Sequence, residues 1–231
     1  MIRKIEHLQA LCKGNTKRSA LALRACKCSF QLAFIKLFVM VSFTSFVGSF
    51  PCVAFSGSRV GGSPASASCR SFLPVLGGFR GSVAVGCARG VDSLVRLAFP
   101  SASVFRVSSF LVGGRVSRAS FALRSSALVS WCASSGGLLV AFPLGACPSG
   151  VRVSSSFGGC GSGSWGSVAL GVGLGCSVLV VLPSSVVGFP APSSVASRFR
   201  LVGVAPCGGA LWLSSPVPFP APPVGSQLSL F

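Results

Sequence analysis

The stretch Val85–Asp92, V-G-C-A-R-G-V-D, decides how this chain reads. An apolar run, Ser82–Val85, leads into it, and a segment of helix length, Asp92–Phe99, leads out. Between them stand two glycines, one arginine and one aspartate. Backbone N–H groups at a strand–glycine–helix junction point the same way and form an anion site. Two other glycine-rich turns have the same character. F-S-G-S-R, Phe55–Arg59, follows the apolar run Cys52–Phe55. G-G-C-G-S-G-S-W-G-S, Gly158–Ser167, opens the helix-length segment Ser164–Gly175.

Working outward, the remaining apolar runs are Ser103–Val107, Gly137–Phe142 and Ser177–Leu182. Each is rich in Val, Leu or Phe and bounded by Gly, Ser or Pro, the mark of a strand buried on both faces. Helix-length segments Ala65–Leu76 and Val116–Ala133 complete the alternation. Strands alternating with helices give βαβ units. The expected class is α/β: a Rossmann-like open parallel sheet with helices on both faces, spanning 51–183. An irregular extension, 1–50, precedes it. From Ser184 the Pro-rich segments F-P-A-P-S-S and V-P-F-P-A-P-P-V-G predict a low-complexity tail, 184–231. One apolar segment, Ala210–Leu213, interrupts that tail.

Composition breaks sharply near Pro51. From there to Phe231 the chain has no Lys, Asn, Ile, Thr, Tyr, Met, His or Glu, and one Asp. Every absent type has adenine in all of its codons. The coding strand is therefore adenine-poor, which also keeps it free of stop codons. A reading frame without a functional product is the bland alternative. The formal charge of +18 favours polyanionic partners, but Arg is codable without adenine and acids are not. The mean hydropathy of +0.77 has the same origin. Residues 1–50 hold all five Lys and the only His. They read as an extension from a misplaced start, or as a targeting or membrane segment that fits a secretory signal poorly.

Eleven cysteines, an odd number without any C-x-x-C, do not make a disulfide framework. With one distant histidine they do not make a zinc site either, and no metal or cofactor is expected. Free thiols suit a cytoplasmic location. Long uncharged stretches, 125–151 and 153–197, keep a membrane protein open as an alternative, but Gly, Ser and Pro cut them into strand-sized pieces.

From the residues alone, the candidate phosphate- or nucleotide-binding positions are Gly57, Ser58 and Arg59 in the first turn. Gly86, Arg89, Gly90 and Asp92 come from the second, and Gly161, Ser162, Gly163 and Ser164 from the third. Arg89 is expected to face a ligand, or else to pair with Asp92. Asp92 reads either as a helix-start residue paired with Arg89 or Arg96, or as a ribose or base contact. Trp165 reads as a core anchor or a base-stacking platform.

These turns, in this order, resemble the DprA/Smf proteins of DNA processing and the wider superfamily with the LOG-type phosphoribohydrolases. V-A-F-S-G-S-R (Val53–Arg59), V-G-C-A-R-G-V-D and S-G-S-W-G-S-V-A-L (Ser162–Leu170) carry the resemblance over about 130 residues. Asp92 stands where the family motif has its Asp, in a stretch where Asp is nearly unavailable. By the same resemblance, R-S-S at Arg124–Ser126, or less well Arg118, stands for the family's R-N-R element, which adds Arg124 to the site. The resemblance implies a nucleotide or single-stranded DNA partner. It also raises the alternative of a nucleoside 5′-monophosphate phosphoribohydrolase. That activity rests on a Glu in the family's glycine motif, and here the position is apolar or small. With no catalytic residue to name, binding without catalysis is the expected function.

Overall fold

The computed structural model describes residues 43–216. Contacts divide the chain into two units, Met1–Phe43 and Thr44–Phe231, and the sheet belongs to the second. The readings of 1–50 as an extension or targeting segment lie almost wholly outside the described residues. So does the end of the tail, from 217.

Among the described residues the sheet has seven strands: β1 (Cys52–Gly57), β2 (Ser82–Gly86), β3 (Ser103–Phe105), β4 (Leu138–Phe142), β5 (Ser177–Val181), β6 (Arg200–Val204) and β7 (Ala210–Ser214). Their order is β3-β2-β1-β4-β5-β7-β6. The first five are parallel, with Ala54 opposite both Ala84 and Leu139. The helices between them are α1 (Pro64–Phe72), α2 (Val91–Ala98), α3 (Arg118–Ser134) and α4 (Gly163–Gly173). A single turn, α5 (Ser193–Ala196), precedes β6. This is a Rossmann-like α/β sheet, and its order reverses direction between β1 and β4. No helix among the described residues is long and apolar enough to cross a membrane.

Burial explains the strands. Every residue of β4 and β5 is buried, as parallel strands covered on both faces must be. One face presents small residues, Ala54, Ala84 and Ala141, beneath Leu128 and Val129 of α3 and Val168 of α4. The α4 backbone sits so low there that a Cβ on Gly171 would lie 2.9 Å from Val178. The other large side chains include Phe72 and Phe142, ring centroids 5.7 Å apart and edge-to-face, and Phe55 stacked on Phe99. Helix starts are set by serines. Ser63 caps α1 ahead of Pro64, Ser117 and Ser120 form a reciprocal capping box on α3, and Ser162 caps α4. Each such cap is worth about 1 kcal/mol, which helps helices otherwise poor in helix-forming residues.

Two expectations need correction. The helix expected over Ala65–Leu76 changes to a 3-10 turn at Leu73–Leu76, because Pro74 cannot donate the next helical hydrogen bond. The tail expected from Ser184 instead returns to the sheet. β7 pairs antiparallel with β5, Leu179 opposite Leu213, and β6 pairs with β7, so the sheet is mixed. The prolines flank these strands, at Pro206 and Pro216, and do not interrupt them. Leu211 and Leu213 alternate inward with partly buried residues between, an amphipathic strand five residues long.

Candidate functional site

Where neighbouring strands of an open parallel sheet send their crossovers to opposite faces, a crevice opens at the carboxyl ends. Here it is a cavity of about 840 Å³ beyond β1 and β4. Its walls are Ser56–Arg59, Ala88 and Asp92, the first turns of α3 from Arg118 to Leu128, and the segment Gly159–Trp165 at the start of α4.

The wall made by the first two turns is tied together. Ser58 N–H donates to Phe142 O (3.1 Å), and Val91 N–H donates to Ser58 O (3.0 Å). Gly90 has φ +68° and ψ −125°, a region closed to residues with a side chain, and any Cβ there would overlap Ser58 O. The Ser58 hydroxyl accepts from Val60 N–H (3.1 Å), so it closes its own turn. Arg59 is exposed, its guanidinium carbon 4.1 Å from the Phe121 ring centroid on α3. Such a cation–π contact holds the charge at the cavity rim.

Asp92 and Arg124 form a buried ion pair, 4% and 6% exposed, with Nη1 3.1 Å from Oδ2. Ala88 N–H donates to the same Oδ2 (3.1 Å). Burial pushes the Asp92 carboxyl up from its ordinary value; Arg124, the Ala88 N–H and Arg96 oppose that rise. Arg96 donates to Gly86 O (2.7 Å) and Ala88 O (3.0 Å), which fixes the turn from behind. Gly86 lies directly under the pair: a Cβ there would overlap Arg124 Nη1 and Asp92 Oδ2.

The wall made by the α4 start is open. It does not follow β4 directly, since residues 143–162 intervene. Gly159 O accepts from Ser162 N–H (2.7 Å) across a turn whose central residues, Cys160 and Gly161, have φ +43° and +90°. Ser162 Oγ then accepts from Trp165 N–H. Ser125 and Ser164 line the cavity at 8% exposure each, and their hydroxyls have no hydrogen bond among the described residues. Arg124 Nε is also buried without a partner there. Of these three, only Arg124 Nε is sealed from solvent; the Ser125 and Ser164 hydroxyls belong to residues that line the cavity, where a ligand can take them up.

The structure thus gathers Gly57, Ser58, Arg59, Asp92, Arg124, Gly161, Ser162, Gly163 and Ser164 around one cavity. Gly86 and Gly90 act beneath it, through backbone geometry. Arg89, expected to face a ligand or pair with Asp92, does neither: it is exposed and outside the cavity, and Asp92 takes Arg124 instead. The turn places Ala88 inward, so the next side chain points away. Trp165 is a core anchor, 1% exposed, its Nε1–H donating to Gly145 O (2.9 Å). Arg96, offered as a partner of Asp92, lends its charge to that carboxylate but donates its hydrogen bonds to Gly86 O and Ala88 O; Phe121, Ser125 and Phe157, which line the cavity, were not among the candidates. Arg96 is one turn beyond Asp92 on α2, which was the available signal. No group of three His, Cys, Asp or Glu among the described residues could hold a metal ion.

No family model, curated protein or solved structure matches the chain.

Proposed function

We propose that this chain binds the phosphate of a nucleotide or of a single-stranded nucleic acid, without catalysing a reaction on it. The observation that carries this reading is the cavity wall where the start of α4, the hydroxyls of Ser125 and Ser164, and the Arg124 side chain come together. Helix N-termini and arginine hold phosphate oxygens by charge-assisted hydrogen bonds without any titration. Arg59 and Arg118 add positive charge at the rim, and Phe121 and Phe157 add aromatic surface. The volume suits one nucleotide unit. The motif order shared with DprA/Smf proteins supports the same class of ligand.

Catalysis finds little support. The only carboxylate among the described residues is Asp92, committed to Arg124, and His, Glu, Lys and Tyr are absent from 43–216. All eight described cysteines are free thiols, in keeping with a reducing, cytoplasmic setting.

The test is fluorescence anisotropy of a labelled oligothymidylate on the full chain, with thermal shift by nucleoside monophosphates beside it. A basic chain binds DNA weakly at low salt in any case. The informative result is therefore a loss of binding in Ser164→Ala that Arg200→Ala does not show. Equal binding by both variants, or none by the parent chain, would refute the reading.

A further inference from the structure

The ion pair on the cavity wall is chemically incomplete. Oδ2 of Asp92 carries both of its contacts, to Arg124 and to Ala88 N–H, while Oδ1 has none among the described residues. Among the described residues Arg124 uses Nη1 alone, and its buried Nε has no partner. Both side chains line the cavity. An anion that enters must therefore share Arg124 with Asp92, two negative charges around one guanidinium.

We propose that anion binding in this cavity draws one proton from solvent onto Asp92. The idea rests on the phosphate-binding reading and gives that site a regulation. The step forms one O–H bond on the Asp92 carboxyl and breaks no bond in the ligand. Its electrostatics are simple. Burial already disfavours the Asp92 charge, and Arg124 is the main group opposing that effect. A ligand that takes up Arg124's field leaves burial unopposed, and a second negative charge nearby adds to it. Protonation removes the repulsion and leaves Arg124 wholly to the ligand.

The groups facing Asp92 leave it as the titrating one. Arg124 comes from α3, Arg96 from its own helix, and the Ala88 N–H from the turn. Cys69, from α1, is pushed up to about 12, by burial first and by the Asp92 charge second, so it stays a neutral thiol. Arginine keeps its charge throughout. The chain's one histidine, His7, lies outside the described residues and is replaced in the test below.

The experiment is titration calorimetry of oligothymidylate into the full chain carrying His7→Gln, between pH 5 and 7. It is run at each pH in two buffers of different ionisation enthalpy. Neither the phosphodiesters nor the thymines titrate in this window, so any proton belongs to the protein. The expected result is a buffer-dependent enthalpy reporting uptake of up to one proton. Affinity should rise as pH falls, at most about tenfold per pH unit. In Asp92→Asn both effects should vanish. If that variant does not fold, a buffer-independent enthalpy on the parent chain still overturns the proposal. Binding with a buffer-independent enthalpy and flat affinity would overturn the proposal while leaving the phosphate site standing, as would uptake that persists in Asp92→Asn. No binding in any buffer would overturn the phosphate site itself.

Discussion

Gly86–Asp92 and Gly158–Ser164 are both glycine turns that open helices on one cavity, and the fold uses them in opposite ways. In the first, nearly every polar group is committed. Arg96 holds two carbonyls, Asp92 holds Arg124 and the Ala88 N–H, and Gly90 is pressed against Ser58. In the second, the hydroxyl of Ser164 has no partner among the described residues and Gly161 stands in open space. The difference teaches that glycine at a strand or helix end has two meanings. It can let side chains close over the backbone, or leave the backbone free for a ligand.

The most severe way to break the first turn is Gly86→Ala. The added Cβ would displace Arg124 from Asp92, with no flexible chain end able to yield without breaking the pair. Loss of a buried pair with one charge left uncompensated costs about 3–5 kcal/mol. Urea denaturation should show that loss, and a midpoint equal to the parent's would show that the pair is not part of the stability.

Next in size is Arg124→Met, whose effect depends on pH. The Asp92 carboxyl is already raised above its unfolded value by burial, and loss of Arg124 raises it further. A carboxyl raised on folding favours the folded state below its unfolded pKa, and that contribution is lost as pH rises through the folded value. The variant should therefore lose about 3 kcal/mol near pH 8 and progressively less toward pH 5. A pH-independent loss would mean that Asp92 does not titrate in the folded chain.

The second turn should respond in the reverse manner. Ser164→Ala removes a hydroxyl with no partner among the described residues, so stability should stay within about 0.5 kcal/mol of the parent. Oligothymidylate affinity should fall by about tenfold, the value of one hydrogen bond to a charged acceptor. Destabilisation without loss of affinity would make the open turn structural like the first.

What the sequence showed and hid follows the same division. The inner parallel strands were legible because burial on both faces forces runs of Val, Leu, Ala and Phe, and Gly or Ser marks their ends; β3, half-exposed at the sheet edge, is only Ser103–Phe105, shorter than the expected Ser103–Val107. The hairpin β6–β7 was not legible. R-L-V-G-V is short, exposed and contains glycine, and its neighbours are proline-rich, so local composition outweighed the alternation in A-L-W-L-S. At the site, the glycines and Asp92 were legible as a motif. The partner of Asp92 was not, because Arg124 is 32 residues away on another helix and only the crossover brings it over Gly86. Arg89 was misread because the sequence does not say which way a turn points its side chains.

Arg89→Ala is the smallest expected effect and the one that isolates direction from composition. Arg89 sits inside the motif, between two residues that both belong to the site, yet it is exposed and forms no ion pair among the described residues. Removing it should change stability by less than about 0.5 kcal/mol. Its effect on oligothymidylate binding should match that of Arg200→Ala, because each removes one surface charge and neither touches the cavity. The comparison is best made at about 0.15 M salt, where exposed charges beyond roughly 8 Å are screened. A fall in affinity specific to Arg89 would bring the ligand out of the cavity and over the α2 start, so that the first turn, too, would be a binding surface.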